Sequence, residues 1–129
     1  MNSPATPAAT ILVVDDDALI NMNAVDMLEQ LGHTALEAYS GKEALAILSS
    51  GQQVDLLITD YAMPGMNGVE LATQARQLRP NLAILLATGY SELPSGMQLD
   101  LPLLSKPYQQ VDLANHLALL LNEQAPAVS

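Results

Sequence analysis

The sequence contains no cysteine and no long apolar run. Without cysteine, the protein has no disulfide, no thiolate nucleophile and no cysteine-ligated metal. No apolar stretch reaches membrane-spanning length, and the N-terminus lacks the basic region followed by an apolar one that marks a signal peptide. These absences predict a cytoplasmic protein that does not associate with a membrane.

Basic residues are also scarce, which leaves the chain strongly acidic. Fourteen Asp and Glu side chains oppose four Lys and Arg side chains, and the formal net charge is −10 at pH 7. Such a chain repels nucleic-acid phosphates, which argues against direct binding of DNA or RNA. Acidity suits a divalent cation or a basic partner instead. Three of the acids are consecutive, at positions 15 to 17, and solubility alone does not explain that placement.

The 129 residues have the pattern of one α/β domain. Continuous apolar runs indicate strands buried on both faces, and helical spacing with capping residues separates them. Strands are predicted at residues 11–14, 34–38, 56–58, 82–87 and 103–104, and helices over 18–31, after Ser40, after Asn67 and over 111–121. Pro94, Gly96 and Pro102 allow only a short or irregular helix before the last strand. We expect a flexible lead over 1–9, a domain over 10–122 and a flexible tail over 123–129.

Chemically reactive side chains stand where the predicted strands end. Alternating strands and helices predict a parallel sheet covered on both faces, whose site lies beyond the carboxyl ends of the strands. The first strand ends in Asp15-Asp16-Asp17, the third in Asp60, the fourth in Thr88 and the fifth in Ser105-Lys106. Two carboxylates about 5 Å apart repel by roughly 3 kcal/mol at an effective dielectric of about 20. A hard divalent cation such as Mg²⁺ would relieve that repulsion.

A carboxylate beside Mg²⁺, a hydroxyl and an ammonium is suited to forming an acyl phosphate. The carboxylate attacks phosphorus, the cations neutralise the phosphoryl oxygens, and no general base is needed. Each residue also has an ordinary structural interpretation. Asp17 suits the N-terminus of a helix, Thr88 could bind a loop backbone group, and Lys106 could be a solvated surface residue.

The segments ILVVDDD, LLITDYAMPGMNG, LLATGYS and LLSKPY, in this order, resemble the receiver domain of two-component response regulators. The resemblance implies a flavodoxin-like, doubly wound, five-stranded parallel sheet in the order 2-1-3-4-5. It also implies a phosphoacceptor signalling domain and not an enzyme, although such a domain assists its own phosphorylation and dephosphorylation. The donor would be a histidine kinase or a histidine phosphotransfer protein. Output would be a protein–protein interaction, made by a monomer or weak dimer.

The resemblance assigns a role to each matched residue. Asp60 would accept the phosphoryl group, Thr88 would be the switch hydroxyl and Lys106 would bind the phosphate. The Mg²⁺ ligands would be Asp15, acting largely through water, with Asp16, Asp60 and the backbone carbonyl of Ala62. The Lys106–Pro107 peptide is expected to be cis, as the resemblance implies and as X–Pro bonds permit.

Two departures from the family bear on how the signal is passed on. Receivers often carry Tyr or Phe three positions before the lysine, where this chain has Leu103, and the stretch between Thr88 and Lys106 is short. The short stretch also resembles receivers attached to hybrid sensor kinases. We therefore predict that activation stays in the loops after Asp60 and Thr88.

Two other function classes account for part of the sequence pattern. A Mg²⁺-dependent phosphohydrolase of the haloacid dehalogenase type would use the Asp-x-Asp within positions 15 to 17, but it leaves Asp60 without a role. A flavin-binding module would need a phosphate loop where the three acids stand. His33 and His116 stand alone, and we expect them at helix ends, exposed or half-buried, and not as ligands.

Overall fold

The computed structural model describes residues 8–89 and 101–124, which form five strands and four helices. The elements are β1 (Thr10–Val14), α1 (Ala18–Gln30), β2 (Thr34–Ala38), α2 (Gly41–Ser49), β3 (Leu56–Asp60), α3 (Gly68–Leu78), β4 (Ala83–Thr88), β5 (Leu103–Ser105) and α4 (Gln110–Gln124). All strand pairs are parallel, and the order is β2-β1-β3-β4-β5. The predicted fold class and strand order are confirmed.

Some predictions fall on parts of the chain that are not described. The short or irregular helix expected between β4 and β5 would lie at residues 90–100, outside the described residues. The lead and tail also fall largely outside them, so the domain boundaries stay a prediction. Among the described helices, none combines the length and apolar character needed to cross a membrane.

The sheet is buried on both faces, which explains its continuous apolar strands. Ile11 and Val13 belong to a core layer shared with α1 and α4. Leu12 and Val14 alternate with them and belong to a second layer shared with α2 and α3. Because successive side chains of a strand point to opposite faces, both sets must be apolar. Truncating one of these side chains to alanine would cost about 2–5 kcal/mol of stability.

The helices begin at the residues whose side chains were expected to cap them. Asp17 accepts hydrogen bonds from two backbone N–H groups in the first turn of α1. The Ser40 hydroxyl accepts from the Glu43 N–H at the start of α2. Asn67 and Glu70 form a reciprocal capping box at the start of α3. The caps fix where each loop from a strand end must join the next helix.

The inward face of α1 differs from the one its apolar spacing indicates. The apolar residues at helical spacing are Ile20, Ala24, Met27 and Leu31, whereas the buried residues of α1 are Asn21, Ala24 and Leu28. Met27 and Leu31 pack against the core as partly buried residues. Ile20 and Met27 are partly exposed. A polar residue can occupy the inward face here because backbone carbonyls accept its N–H groups.

His33 is buried, which corrects the expectation that it would be exposed or half-buried. Its side chain is 6% exposed, and its Nδ1 accepts a hydrogen bond of 3.1 Å from the Ala9 N–H. The Ala9 carbonyl in turn accepts from the Thr34 N–H. The residue just before β1 therefore covers the histidine, a long-range contact that the sequence pattern does not reveal.

Candidate functional site

Asp60 and Lys106 form a close ion pair at the carboxyl edge of the sheet. Asp60 is the last residue of β3 and is 4% exposed. Lys106 follows β5, and its Nζ lies 2.6 Å from Asp60 Oδ1 and 3.7 Å from Asp15 Oδ2. Asp15 follows β1 and is also buried. The structure thus brings together residues from three strand ends that the sequence placed at one site.

Burial and charge act in opposite directions on Asp15. Burial raises the pKa of its carboxyl group above the usual range, while the Asp17 N–H and the Lys106 ammonium counteract that rise. The Asp17 N–H donates a hydrogen bond of 2.9 Å to Asp15 Oδ1. Nearby, burial and the charge of Asp15 raise the pKa of Tyr108 to about 12, so its phenol keeps its proton. The site holds negative charge in surroundings that solvate it poorly.

The acidic residues fit a divalent cation. Asp15, Asp16 and Asp60 can each offer a carboxylate oxygen, and these atoms lie within 4.8 Å of one another. Carboxylate oxygens are the donors that hard cations prefer, and two of the three groups are buried, where an unneutralised charge is costly. Asp16 is exposed, so the cluster opens to solvent on its side. Ala62 lies in the exposed part of the β3–α3 loop, and its carbonyl as a ligand stays a prediction.

Thr88 is the last residue of β4 and is buried. Its neighbour in register is Ser105 of β5, one residue before the lysine. The Thr88 hydroxyl donates a 2.9 Å hydrogen bond to the Gly89 carbonyl. The residue thus lies at the same edge as the acids, with its hydroxyl bound to its own loop in this state.

Gly68 lets α3 pack against the end of β3, a role that the sequence reasoning missed. It begins α3, and its N–H donates to the Tyr61 carbonyl at 2.8 Å. A Cβ at this position would overlap the Asp60 carbonyl oxygen, so only glycine lets α3 approach the end of β3 this closely. Gly65, in the same loop, has φ +82°, a conformation that side chains disfavour. The available sequence signal is the pair of glycines at positions 65 and 68, shortly after Asp60.

An apolar groove opens beside the ion pair, between α1 and the loop after β5. It has a volume of about 300 Å³ and is lined by Ile20, Asn23, Met27, Lys106, Pro107 and Tyr108. The Lys106–Pro107 peptide in its wall is cis, as predicted. Ile20 and Met27, which the apolar spacing of α1 had placed inward, therefore face this groove.

Comparison with known sequences identifies the family. The family described as the response regulator receiver domain matches residues 11–118, nearly the whole described chain. The chain belongs to the receiver-domain family. It is 33% identical to the response regulator receiver protein CpdR of Brucella abortus, over 86% of this chain and 95% of that protein. It is also 33% identical to the sensor kinase CckA of Brucella abortus, over 91% of this chain but only 13% of the kinase.

Solved receiver domains have the same fold. A receiver domain protein from Clostridium thermocellum superimposes with a TM-score of 0.82 at 30% identity, covering 90% of this chain and 96% of that one. The receiver domain of the hybrid histidine kinase CckA superimposes with a TM-score of 0.74 at 31% identity, covering 87% and 98%. The receiver domain therefore recurs both alone and as a small part of larger proteins, whose other activities are not carried over to this chain.

Proposed function

We propose that this receiver domain takes a phosphoryl group from a phosphohistidine onto Asp60. The observation that carries the proposal is the buried Asp60 carboxylate, paired with Lys106 at 2.6 Å and flanked by two further acids. A carboxylate that only stabilised the fold would gain nothing from two like-charged neighbours. The donor would belong to a histidine kinase or a histidine phosphotransfer protein, and a cytoplasmic location stays part of the proposal.

The transfer needs one bond made and one broken. A carboxylate oxygen of Asp60 forms a bond to phosphorus as the phosphorus–nitrogen bond of the phosphohistidine breaks. The bonding electrons stay on the imidazole nitrogen, and a proton on the ring keeps the leaving imidazole neutral. Lys106 already contacts Asp60 and would neutralise the phosphoryl oxygens. The Thr88 hydroxyl would turn from the Gly89 carbonyl to donate to the new phosphoryl group.

Mg²⁺ is the cation we propose for the acidic cluster. Asp15, Asp16 and Asp60 would hold it with the carbonyl of Ala62, and when bound it supplies positive charge to the phosphoryl oxygens. Asp15 and Asp60 are buried beside the single ammonium of Lys106, which balances only part of their combined charge. Asp16 is exposed and could exchange its solvent contacts for the ion.

The donor protein would dock in the groove between α1 and the loop after β5. The groove is mainly apolar, and Lys106 forms part of both the groove and the phosphoacceptor site. Leu19 and Met22 on α1 add exposed apolar surface, at 60% and 51% exposure. A helix that carries the donor histidine could bury this surface while placing its phosphoryl group beside Asp60.

The conformational change that passes on the signal would stay near the phosphorylation site. Leu103 on β5 is 41% exposed and has no hydroxyl to exchange between solvent and interior. We propose that phosphorylation rearranges the loops after β3 and β4, without dimerisation through β5 and α4. Structures with and without a beryllofluoride phosphoryl mimic would decide. A symmetric dimer through β5 and α4 in the activated form alone would contradict this proposal.

Phosphoryl transfer can be tested with a small amidophosphate donor, whose phosphorus–nitrogen bond resembles that of phosphohistidine. Intact-mass measurement of the protein with phosphoramidate and Mg²⁺ should detect one added phosphoryl group. Asp60→Asn should abolish it, and the matched control Asp26→Asn, on the exposed side of α1, should not. Loss of the modification in Asp15→Asn, with retention in Asp60→Asn, would favour the phosphohydrolase alternative.

A further inference from the structure

Asn21 is a fully buried polar residue on the inward face of α1. It is 0% exposed. Its Nδ2 donates to the Asp15 carbonyl at 2.9 Å and to the Ala38 carbonyl at 3.0 Å. Both neighbours are acceptors, so the NH₂ group, and not the oxygen, must face them. Asn21 therefore ties α1 to the ends of β1 and β2.

The other half of the Asn21 amide is unfavourable in this position. Its Oδ1 is buried and has no hydrogen-bond partner among the described residues. A leucine has the same branched shape at Cγ and would not bury an unpaired acceptor. The two N–H donors are thus what asparagine adds here, and packing alone does not explain it.

The carbonyl that Asn21 holds belongs to the peptide between Asp15 and Asp16. The Asp15 N–H is also bound, to the Ala38 carbonyl at 3.2 Å, so both sides of the Asp15 backbone are fixed. The Asp15 carboxylate has its own restraints in the Asp17 N–H and Lys106. Asp16 differs, because its exposed carboxylate makes no hydrogen bond or ion pair within the described residues. The direction of the Asp16 side chain therefore depends on the peptide that Asn21 orients.

We infer that Asn21 is a positioning residue for the metal site, acting on Asp16 through the Asp15–Asp16 peptide. This inference rests on the proposed Mg²⁺ site. Groups that orient metal ligands commonly change metal affinity when removed, although they do not touch the ion. Without Asn21, that peptide could rotate, and Asp16 would have to be ordered each time the ion binds.

The test is Mg²⁺ affinity in the absence of any phosphoryl donor, measured by NMR titration of backbone amides, beside urea unfolding of each variant. Asn21→Ala and Asn21→Leu should both weaken Mg²⁺ binding by about tenfold. The second variant keeps the branching at Cγ, leaves no cavity, and covers the case in which the alanine variant does not fold. Leu28→Val is the matched control, because it lies about two turns further along α1 in the apolar core. It should lower stability and leave the affinity unchanged.

Two results would overturn the inference while leaving the metal site in place. Unchanged Mg²⁺ affinity in both Asn21 variants would show that the Asp15–Asp16 peptide is held without the amide. An equal loss of affinity in Leu28→Val would show that affinity follows general stability. If the wild-type protein does not bind Mg²⁺ at all, the proposed metal site fails, and the inference fails with it.

Discussion

The amino ends of the parallel strands form one edge of the sheet, the amino edge, and their carboxyl ends form the opposite one, the carboxyl edge. Both edges contain buried or half-buried polar side chains, but these side chains have different partners. At the amino edge each polar side chain binds the backbone. The Nδ1 of His33 accepts from Ala9, Oδ2 of Asp55 accepts from Thr10, and the guanidinium of Arg79 donates to the carbonyls of Leu48 and Gln52. At the carboxyl edge, acids face one another. Asp15 and Asp60 share Lys106, and Asp16 lies within reach of both.

In the proposed function, this difference separates structural polar groups from functional ones. The amino-edge side chains complete backbone hydrogen bonds of the fold. Like charges held together in a partly buried cluster weaken the fold unless a cation or a reaction compensates. Substitutions at the amino edge should therefore affect stability alone, and those at the carboxyl edge should couple stability to Mg²⁺.

The largest effect is expected from Lys106→Ala. Removing the ammonium leaves two buried carboxylates uncompensated, and we expect the free energy of unfolding in metal-free buffer to fall by about 3 kcal/mol. Mg²⁺ should restore part of that loss. Urea unfolding with EDTA and with Mg²⁺ would measure both. Lys42→Ala is the control, since Lys42 is exposed. Equal losses in the two variants would contradict the prediction.

Arg79→Ala should destabilise the protein without affecting the site. The guanidinium donates to Leu48 O at 3.2 and 2.9 Å and to Gln52 O at 2.6 Å, and these contacts hold the end of α2. We expect a loss of about 2 kcal/mol, independent of Mg²⁺. Arg76→Ala should cost less, because its bond to Leu82 O is long, at 3.4 Å. Reduced phosphoryl incorporation by folded Arg79→Ala would contradict the claim that substitutions at the amino edge affect stability alone.

Asp16→Ala should stabilise the metal-free protein. Like-charge repulsion is relieved, but Asp16 is exposed and its charge is screened, so the gain should stay below about 1 kcal/mol. The variant should also lose the rise in melting temperature that Mg²⁺ gives the wild type. Thermal melts in EDTA and in Mg²⁺ test both effects. If Mg²⁺ stabilises both proteins equally, the cation binds elsewhere.

The smallest effect concerns His33 at the amino edge. Burial lowers the pKa of His33 below its usual range. The unfolded chain then binds more protons below about pH 6.5, so this contribution to stability is present above that pH and is lost as the pH falls towards the lowered folded pKa. His33→Gln should flatten the loss of unfolding free energy between about pH 7.5 and about pH 5.5. His116→Gln is the control, and an identical flattening there would argue against His33.

Much of the fold and the core of the site could be predicted from local patterns. Strands buried on both faces are mostly apolar, so β1, β3 and β4 could be recognised as continuous apolar runs in the sequence. Acids at the ends of those runs had to meet, because parallel strands end at one edge. Capping residues such as Asp17 and Asn67 act within one turn, so their roles were also visible in the sequence.

The features that the sequence did not reveal depend on distances between elements. Asn21 lies outside the apolar spacing of α1, and its burial is explained by the backbone carbonyls at the ends of two strands. Gly68 is required because α3 lies against the Asp60 carbonyl, and His33 is buried because Ala9 covers it. The burial of Asn21 and that of His33 have no local signal in the sequence. The short or irregular helix between β4 and β5 stays a prediction, because residues 90–100 lie outside the described part of the chain.

The central claim is that the carboxyl edge, and not the amino edge, carries the chemistry. Tryptic cleavage after Lys42 and Arg76 gives one peptide, residues 43–76, that contains one aspartate from each edge, Asp55 and Asp60. Borohydride reduces an aspartyl phosphate to homoserine, so tandem mass spectrometry of this peptide after phosphorylation locates the modified residue. We predict homoserine at position 60 and unmodified aspartate at position 55. Homoserine at position 55, or a phosphoryl group outside this peptide, would contradict the account.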